Sequence, residues 1–230
     1  LPLILNIETA TPVCSVSLVR NGQTVALAED ARGNNHAAQL TVLIQHLLTG
    51  SSTSFADLDA VAVSAGPGSF TGLRIGAATA KGLCYSLNIP LLAIDSLEIL
   101  AAGMRKKFHV AEATWLCPTI DARRNEVYFS LINGEGNVVI ASTNHVLQEQ
   151  PPFVLPEKTS LVLAGSGVSK CLAAWKKFSF IPDYETISSA QNMAQLSLKE
   201  FLGGKYSDVG SFEPRYIKPV YVSNPASPSP

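Results

Sequence analysis

The stretch PLILNIETATPVCSVSLVRNGQTVALAE, residues 2–29, decides the architecture. Residues 2–8 form an apolar run that ends in an acid, Glu8, and a small polar loop opens at Thr9. Residues 13–20 alternate apolar and small polar side chains, the period-2 pattern of a strand. Asn21-Gly22 supplies the two residues of a tight hairpin turn, and residues 23–29 return as a third strand. Beyond them, Leu40, Leu43, Ile44, Leu47 and Leu48 share one face of a helix expected over residues 36–49. A strand over residues 58–65 then meets Gly66-Pro67-Gly68, which turns the chain into a helix over Phe70–Leu87. A fifth strand follows at residues 91–95, and Asp95 with Glu98 reads as a capping box for a third helix.

The opening pattern then returns. Ile7-Glu8-Thr9-Ala10 leads, ten residues on, to Ser17-Leu18-Val19 and the turn at Asn21-Gly22. Ile120-Asp121-Ala122-Arg123 leads, at the same spacing, to Ser130-Leu131-Ile132 and a turn at Asn133-Gly134. A later apolar run, residues 161–164, enters Gly165-Ser166-Gly167 and a helix, echoing the strand, Gly66-Pro67-Gly68 and helix of the first copy. Matched features in the same order indicate a duplicated unit. The expected fold is α/β: two actin-like, ribonuclease H-like lobes with mixed sheets flanked by helices. The expected division is 1–105, 106–222 and a flexible Pro/Ser tail over 223–230, with a further helix over residues 190–201.

Hydrophobic residues make up 47% of the chain and charged residues only 15%. The first figure provides a sizeable core, and the second leaves little polar surface, which suggests that a partner covers part of it. Net charge is −1. The basic groups Arg105-Lys106-Lys107, Arg123-Arg124 and Lys176-Lys177 read as solvated helix ends and turns rather than an RNA-binding stripe, so a nucleic acid would be held mainly by another subunit. Cys14, Cys84, Cys117 and Cys171 are far apart in apolar stretches and suggest neither a zinc knuckle nor a disulfide framework. No apolar run reaches the roughly 18 residues of a membrane span, and residues 1–7 lack a signal-peptide pattern. The expectation is a cytoplasmic protein without a membrane partner.

The segment VAVSAGPGSFTGLRIGAATAKGLCYSLNIPLLAID, residues 61–95, carries the sharpest signal. Its glycines and Ser69 precede a helix start, where backbone N–H groups and the dipole suit an anion. It lacks the Gly-Lys-Ser/Thr close of a Walker loop. Within the helix the only charges are Arg74 and Lys81, while Gly72, Gly76, Ala77, Ala78, Ala80 and Gly82 leave room for a neighbouring backbone. That room serves either the helix's own lobe or a partner's helix.

The strings GPGSFTGLRIG (66–76), AKGL (80–83), IPL (89–91) and SLE (96–98) closely resemble the bacterial threonylcarbamoyladenosine biosynthesis proteins called the TsaB family. So do ILNIETAT (4–11), NNHAAQL (34–40), DARRNEVY (121–128) and EPRYIKP (213–219). The resemblance implies an actin-like scaffold for a catalytic paralogue of the same fold, TsaD, with an ATPase subunit, TsaE, and transfer RNA reached indirectly. A homodimer is expected when the chain is alone. The expected partner interface comprises His36, Leu40, Leu43, Ile44, Leu47, Phe70, Arg74, Ala77, Ala78 and Lys81.

The resemblance also implies that the catalytic paralogue carries a His-x-x-x-His metal motif, and its two positions fall on Ser96 and Leu100 here. Neither side chain suits a transition metal, so no metal and no catalytic residue is expected. Glu8, Thr9, Gly66, Gly68, Ser69, Asp121, Gly165 and Gly167 are the expected lining of a vestigial nucleotide cleft. Glu8 stands where the family more often has aspartate, so ATP is expected to bind weakly or only through the complex. The alternatives are an independent actin-fold ATPase or phosphotransferase, which ATP turnover would reveal, and a metallopeptidase, against which the missing ligand pair argues.

Overall fold

In the computed structural model, residues 1–33, 35–108 and 114–218 are described, and they build two five-stranded sheets of the same design. The first contains β1 (Leu3–Glu8), β2 (Cys14–Arg20), β3 (Gln23–Asp30), β4 (Ala60–Ser64) and β5 (Leu91–Ile94), in the order β3-β2-β1-β4-β5. The second contains β6 (Thr114–Asp121), β7 (Glu126–Ile132), β8 (Val138–Val146), β9 (Ser160–Ala164) and β10 (Ile181–Asp183), in the order β10-β9-β6-β7-β8. Matching β1 to β6 makes the two orders identical. In each, an antiparallel hairpin pairs with two parallel strands. The duplication read from the sequence is thus the actual symmetry of the fold. The helices are α1 (His36–Gly50), α2 (Phe70–Leu87), α3 (Ser96–Lys107), α4 (Val168–Ala174) and α5 (Ala194–Leu202).

Every residue of β1 is buried because both faces of its sheet are covered. Leu3, Leu5 and Ile7 point into a core shared with Leu40, Ile44, Leu47 and Leu48 of α1 and Ala80 and Cys84 of α2. Ile4 points the other way, to Ala60, Ala62, Leu92 and Ile94 and to Ile99, Ala190 and Met193. The polar alternation of β2 therefore does not face water. Ser15 Oγ accepts the Ala190 N–H at 2.9 Å, and Ser17 Oγ donates to the Ala190 carbonyl at 2.9 Å. These bonds satisfy buried backbone groups and fix the register of the returning chain against the sheet.

That return corrects the expected division. After β10 the chain leaves the second lobe. A 3-10 turn at Ala190–Met193 and α5 then pack on the first sheet, with Leu196 and Phe201 against the Ile4 side. The segment 207–218 also stays with the first lobe for most of its length: Ser207 N–H bonds the Leu91 carbonyl at 2.8 Å, and Val209 and Phe212 pack on the α1–α2 core. The lobe expected over 106–222 thus gives up its last part to the first. The expected boundary at residues 109–113 and the Pro/Ser tail lie outside the described residues.

Helix α3 lies between the two sheets. Its Ile99 joins the first lobe's core, while Ala101 and Met104 pack on Leu116, Ile132, Val162 and Ala164 of the second. At its N-terminus, Asp95 Oδ1 accepts the Leu97 and Glu98 N–H groups, which is the forward half of the expected capping box. The second sheet's other face is filled by Cys117, Phe129, Leu163, Cys171 and the fully buried Trp175.

Candidate functional site

The start of α2 is seated on the β1–β2 loop. Ser69 N–H bonds the Ala10 carbonyl at 2.7 Å, and Ser69 Oγ caps the helix by accepting the Gly72 N–H at 3.2 Å. A Cβ on Gly72 would strike the Thr9 carbonyl oxygen, one on Gly76 would strike Thr9 Oγ1, and one on Gly68 would strike the Ala10 carbonyl. The glycines of this helix therefore serve close packing within their own lobe, and two of the loop's amides already have acceptors. Gly82, by contrast, faces outward, and a Cβ there would meet nothing within 4 Å.

The positions expected to line a nucleotide cleft are mostly sealed by the chain itself. Glu8 and Thr9 have no exposed surface. Glu8 Oε1 accepts the Ala10 N–H at 2.6 Å, and Oε2 makes no hydrogen bond. Burial pushes the Glu8 carboxyl up to about 7. The Ala10 amide and the Ser188 and Ser64 hydroxyls oppose that rise, and the Asp95 charge adds to it. A Cβ on Gly66 would come within 2.6 Å of the Arg215 carbonyl oxygen. Gly165 and Gly167 press on Thr119. Of the expected set, only Ser69 and Asp121 are exposed, and Asp121 is engaged: its Oδ1 lies 2.5 Å from Lys170 Nζ and accepts the Arg123 N–H at 2.6 Å.

Sequence reasoning missed the segment that does the sealing. Arg215 N–H bonds the Ala65 carbonyl at 2.7 Å, and its guanidinium meets the Asp95 carboxylate. Lys218 reaches across to the second lobe, 2.9 Å from Glu126 Oε1 and 3.1 Å from the Ala122 carbonyl. Its ammonium, helped by the Asn144 amide, holds the Glu126 carboxyl below the usual carboxylate range. EPRYIKP was visible as a motif, but nothing local in it says which surface it crosses.

The expected partner interface separates into three groups. Leu40, Ile44, Leu47 and Ala77 are buried in the first lobe's own core or against it, and cannot present a surface. His36 is likewise buried, its Nε2 2.9 Å from the Thr11 carbonyl, and it caps no helix. Phe70, Arg74 and Lys81 are used by the strap, the segment 207–218. The Tyr216 ring lies 4.9 Å from that of Phe70, Arg74 sits 4.1 Å from the Phe70 ring centroid and donates to the Tyr216 hydroxyl, and Lys81 Nζ donates to the Gly210 and Phe212 carbonyls. Leu43 is half-buried and Ala78 exposed. Among the residues that α1 and α2 leave exposed are the small or apolar Ala38, Val42, Ala78 and Gly82 and the aromatic Tyr85, with Tyr85 at 85% exposure.

Ser96 and Leu100 are both buried on α3, and the described residues contain no group of three or more His, Cys, Asp and Glu side chains placed to hold a metal ion. Among them, no helix is long and apolar enough to cross a membrane.

Duplicated sheets of this order, with a helix wedged between them, define the class of actin-like two-lobed α/β proteins. Residues 29–195 match the family model for TsaD, tRNA N6-adenosine threonylcarbamoyltransferase. The chain belongs to the TsaB branch of that superfamily, the tRNA threonylcarbamoyladenosine biosynthesis proteins. It is 31% identical over 221 residues to TsaB of Escherichia coli, covering 94% of each chain. It is 34% identical over 170 residues to TsaB of Bacillus subtilis, covering 69% of this chain and 72% of that one. The solved structure of YeaZ from Pseudomonas aeruginosa superposes with a TM-score of 0.82 at 25% identity, over 94% of this chain and 100% of that one.

Proposed function

We propose that this chain is the non-catalytic scaffold subunit of a complex that forms threonylcarbamoyladenosine at position 37 of transfer RNA. The observation that carries the reading is the filled cleft. An actin-fold ATPase needs exposed carboxylates on its two hairpin loops to hold magnesium and water, whereas Glu8 is buried and Asp121 is paired with Lys170. A chain in which one of those carboxylates is buried and the other is held by a lysine contributes surface rather than chemistry.

The surface is formed by exposed residues of α1 and α2, among them Ala38, Val42, Ala78, Gly82 and Tyr85. Small side chains let a helix of the catalytic paralogue, TsaD, approach closely, and Tyr85 supplies an aromatic anchor of the kind that dominates interfaces. The same surface pairs two copies when the chain is alone. TsaE completes the assembly, and ATP is bound weakly by this chain or only through the complex.

Reconstitution tests this. The chain alone, incubated with threonylcarbamoyl-adenylate and unmodified tRNA, should form no modified nucleoside, and should hydrolyse no ATP above a buffer control. Leaving it out of the mixture with TsaD and TsaE should abolish the reaction. Full activity without it, or turnover of ATP by it that Asp121→Asn removes, would replace this reading with the phosphotransferase one.

A further inference from the structure

Basic side chains that are far apart in sequence meet at the outer end of the second lobe. A groove of about 630 Å³ opens there between the β6–β7 turn and α4 with the loop that follows it. Arg124, Lys170, Lys176 and Lys177 line it together with one carboxylate, Glu149, and Lys170 is already paired with Asp121 at 2.5 Å. Arg123 sits beside Arg124 on the turn. In a chain whose net charge is −1, Arg124, Lys176 and Lys177 leave a local excess of positive charge over Glu149. Lys177 lies 3.8 Å from Glu149, both on long exposed side chains, a separation too loose to quench either charge.

Arg123 and Arg124 both adopt left-handed backbone, with φ of 62° and 48°, in the turn that links β6 to β7. The topologically equivalent loop of the first lobe, residues 9–13 between β1 and β2, carries no arginine.

Leu147, Ala173 and Ala174 supply the apolar part of the lining, and no aromatic side chain is among it. Bases therefore have no surface to stack on, and lysines and arginines on an open groove match phosphates spaced along a backbone. We propose that this groove binds the phosphate backbone of the transfer RNA on which the complex acts. The inference rests on the function proposed above, and it gives this subunit a direct contact with the RNA in place of an indirect one. The basic pairs read from the sequence as solvated turns are one site once folded.

The test uses the full chain bound to TsaD, with an unmodified tRNA transcript, in filter-binding titrations at several salt concentrations. The variant is Arg124→Ala/Lys176→Ala/Lys177→Ala, which leaves the Lys170–Asp121 pair in place. The plot of log affinity against log salt should become shallower by about 2 to 3, one unit for each lost phosphate contact. Unchanged affinity and slope in a variant that still assembles and melts normally would overturn the groove alone. Loss of assembly with TsaD would also overturn it, by showing that protein occupies the groove. Should the wild-type mixture form no modified nucleoside, the proposed function fails, and this inference with it.

Discussion

Lys218, at the end of the described chain, lies 2.9 Å from Glu126 Oε1 on the opposite lobe, with both side chains mostly shielded from water. The contact ties a strap anchored on the first sheet to the hairpin of the second. Lys218→Ala should cost about 1 kcal/mol, a fall in melting temperature of about 2–4 °C for a chain of this size. Glu126 is held below its usual value, so the stability it gains from Lys218 is present above pH 4.5 and lost as pH falls below that. Calorimetry of wild type and variant should show their difference shrink on acidification; a difference constant from about pH 7 down to the acid limit of folding would mean that the charge pair contributes nothing.

Glu8 works in the opposite sense. Its carboxyl is raised from 4.5 to about 7 by burial, so the folded protein holds a proton that the unfolded chain has released. The folded state is favoured fully below pH 4.5 and loses that advantage as pH rises through about 7, by about 3 kcal/mol in total. Glu8→Gln, which keeps the shape without the charge, should remove this decline. Melting temperatures of the two proteins should diverge between about pH 5 and pH 8, with the variant the more stable at the upper end. Parallel pH profiles would show that Glu8 is ionised in the fold.

Ala77 and Ala78 are neighbours with opposite environments, 5% exposed and solvent-facing respectively. Ala78→Glu should melt like the wild type and fail to co-elute with TsaD. Ala77→Glu buries an unpaired carboxylate and should cost more than about 3 kcal/mol, unfolding the lobe. A folded Ala78→Glu that still assembles would put the docking surface elsewhere.

The glycines of α2 make a second contrast within one helix. Gly82→Ala adds a methyl in open space and should raise stability by about 1 kcal/mol through helix propensity alone. Gly76→Ala drives the same methyl into Thr9 and should lower it. Chemical denaturation midpoints report both. Equal shifts would contradict the seating of α2 on the β1–β2 loop.

The elements were legible wherever local chemistry decides them. Residues 70–87 carry their own cap at Ser69 and a left-handed stop at Asn88, and the helix has those bounds. The hairpins announced themselves by alternation and by Asn21-Gly22. Periodicity says that a face is covered, however, and not by what. Leu40, Ile44 and Leu47 have the spacing of a docking face and are instead the lobe's own core, because a five-stranded sheet lies under them. Contacts between distant segments left no local trace either. Ala190 is bonded to Ser15 and Ser17, and Arg124 shares a groove with Lys176, only because the topology brings them together.

The bond from Ala190 N–H to Ser15 Oγ spans 175 residues of sequence, and it sets a schedule for the newborn chain. While the ribosome is still making the second lobe, one side of the first sheet, with Ile4, Ala62 and Leu92, is covered only in part, by Ile99 of α3, and lacks Ala190 and Met193. At about 5–20 residues per second, the covering turn at Ala190–Met193 emerges many seconds after β5. During that interval the nascent chain shows a greasy, half-finished sheet, a natural target for a chaperone. A fragment ending near residue 105 would hold that unfinished surface for good and precipitate.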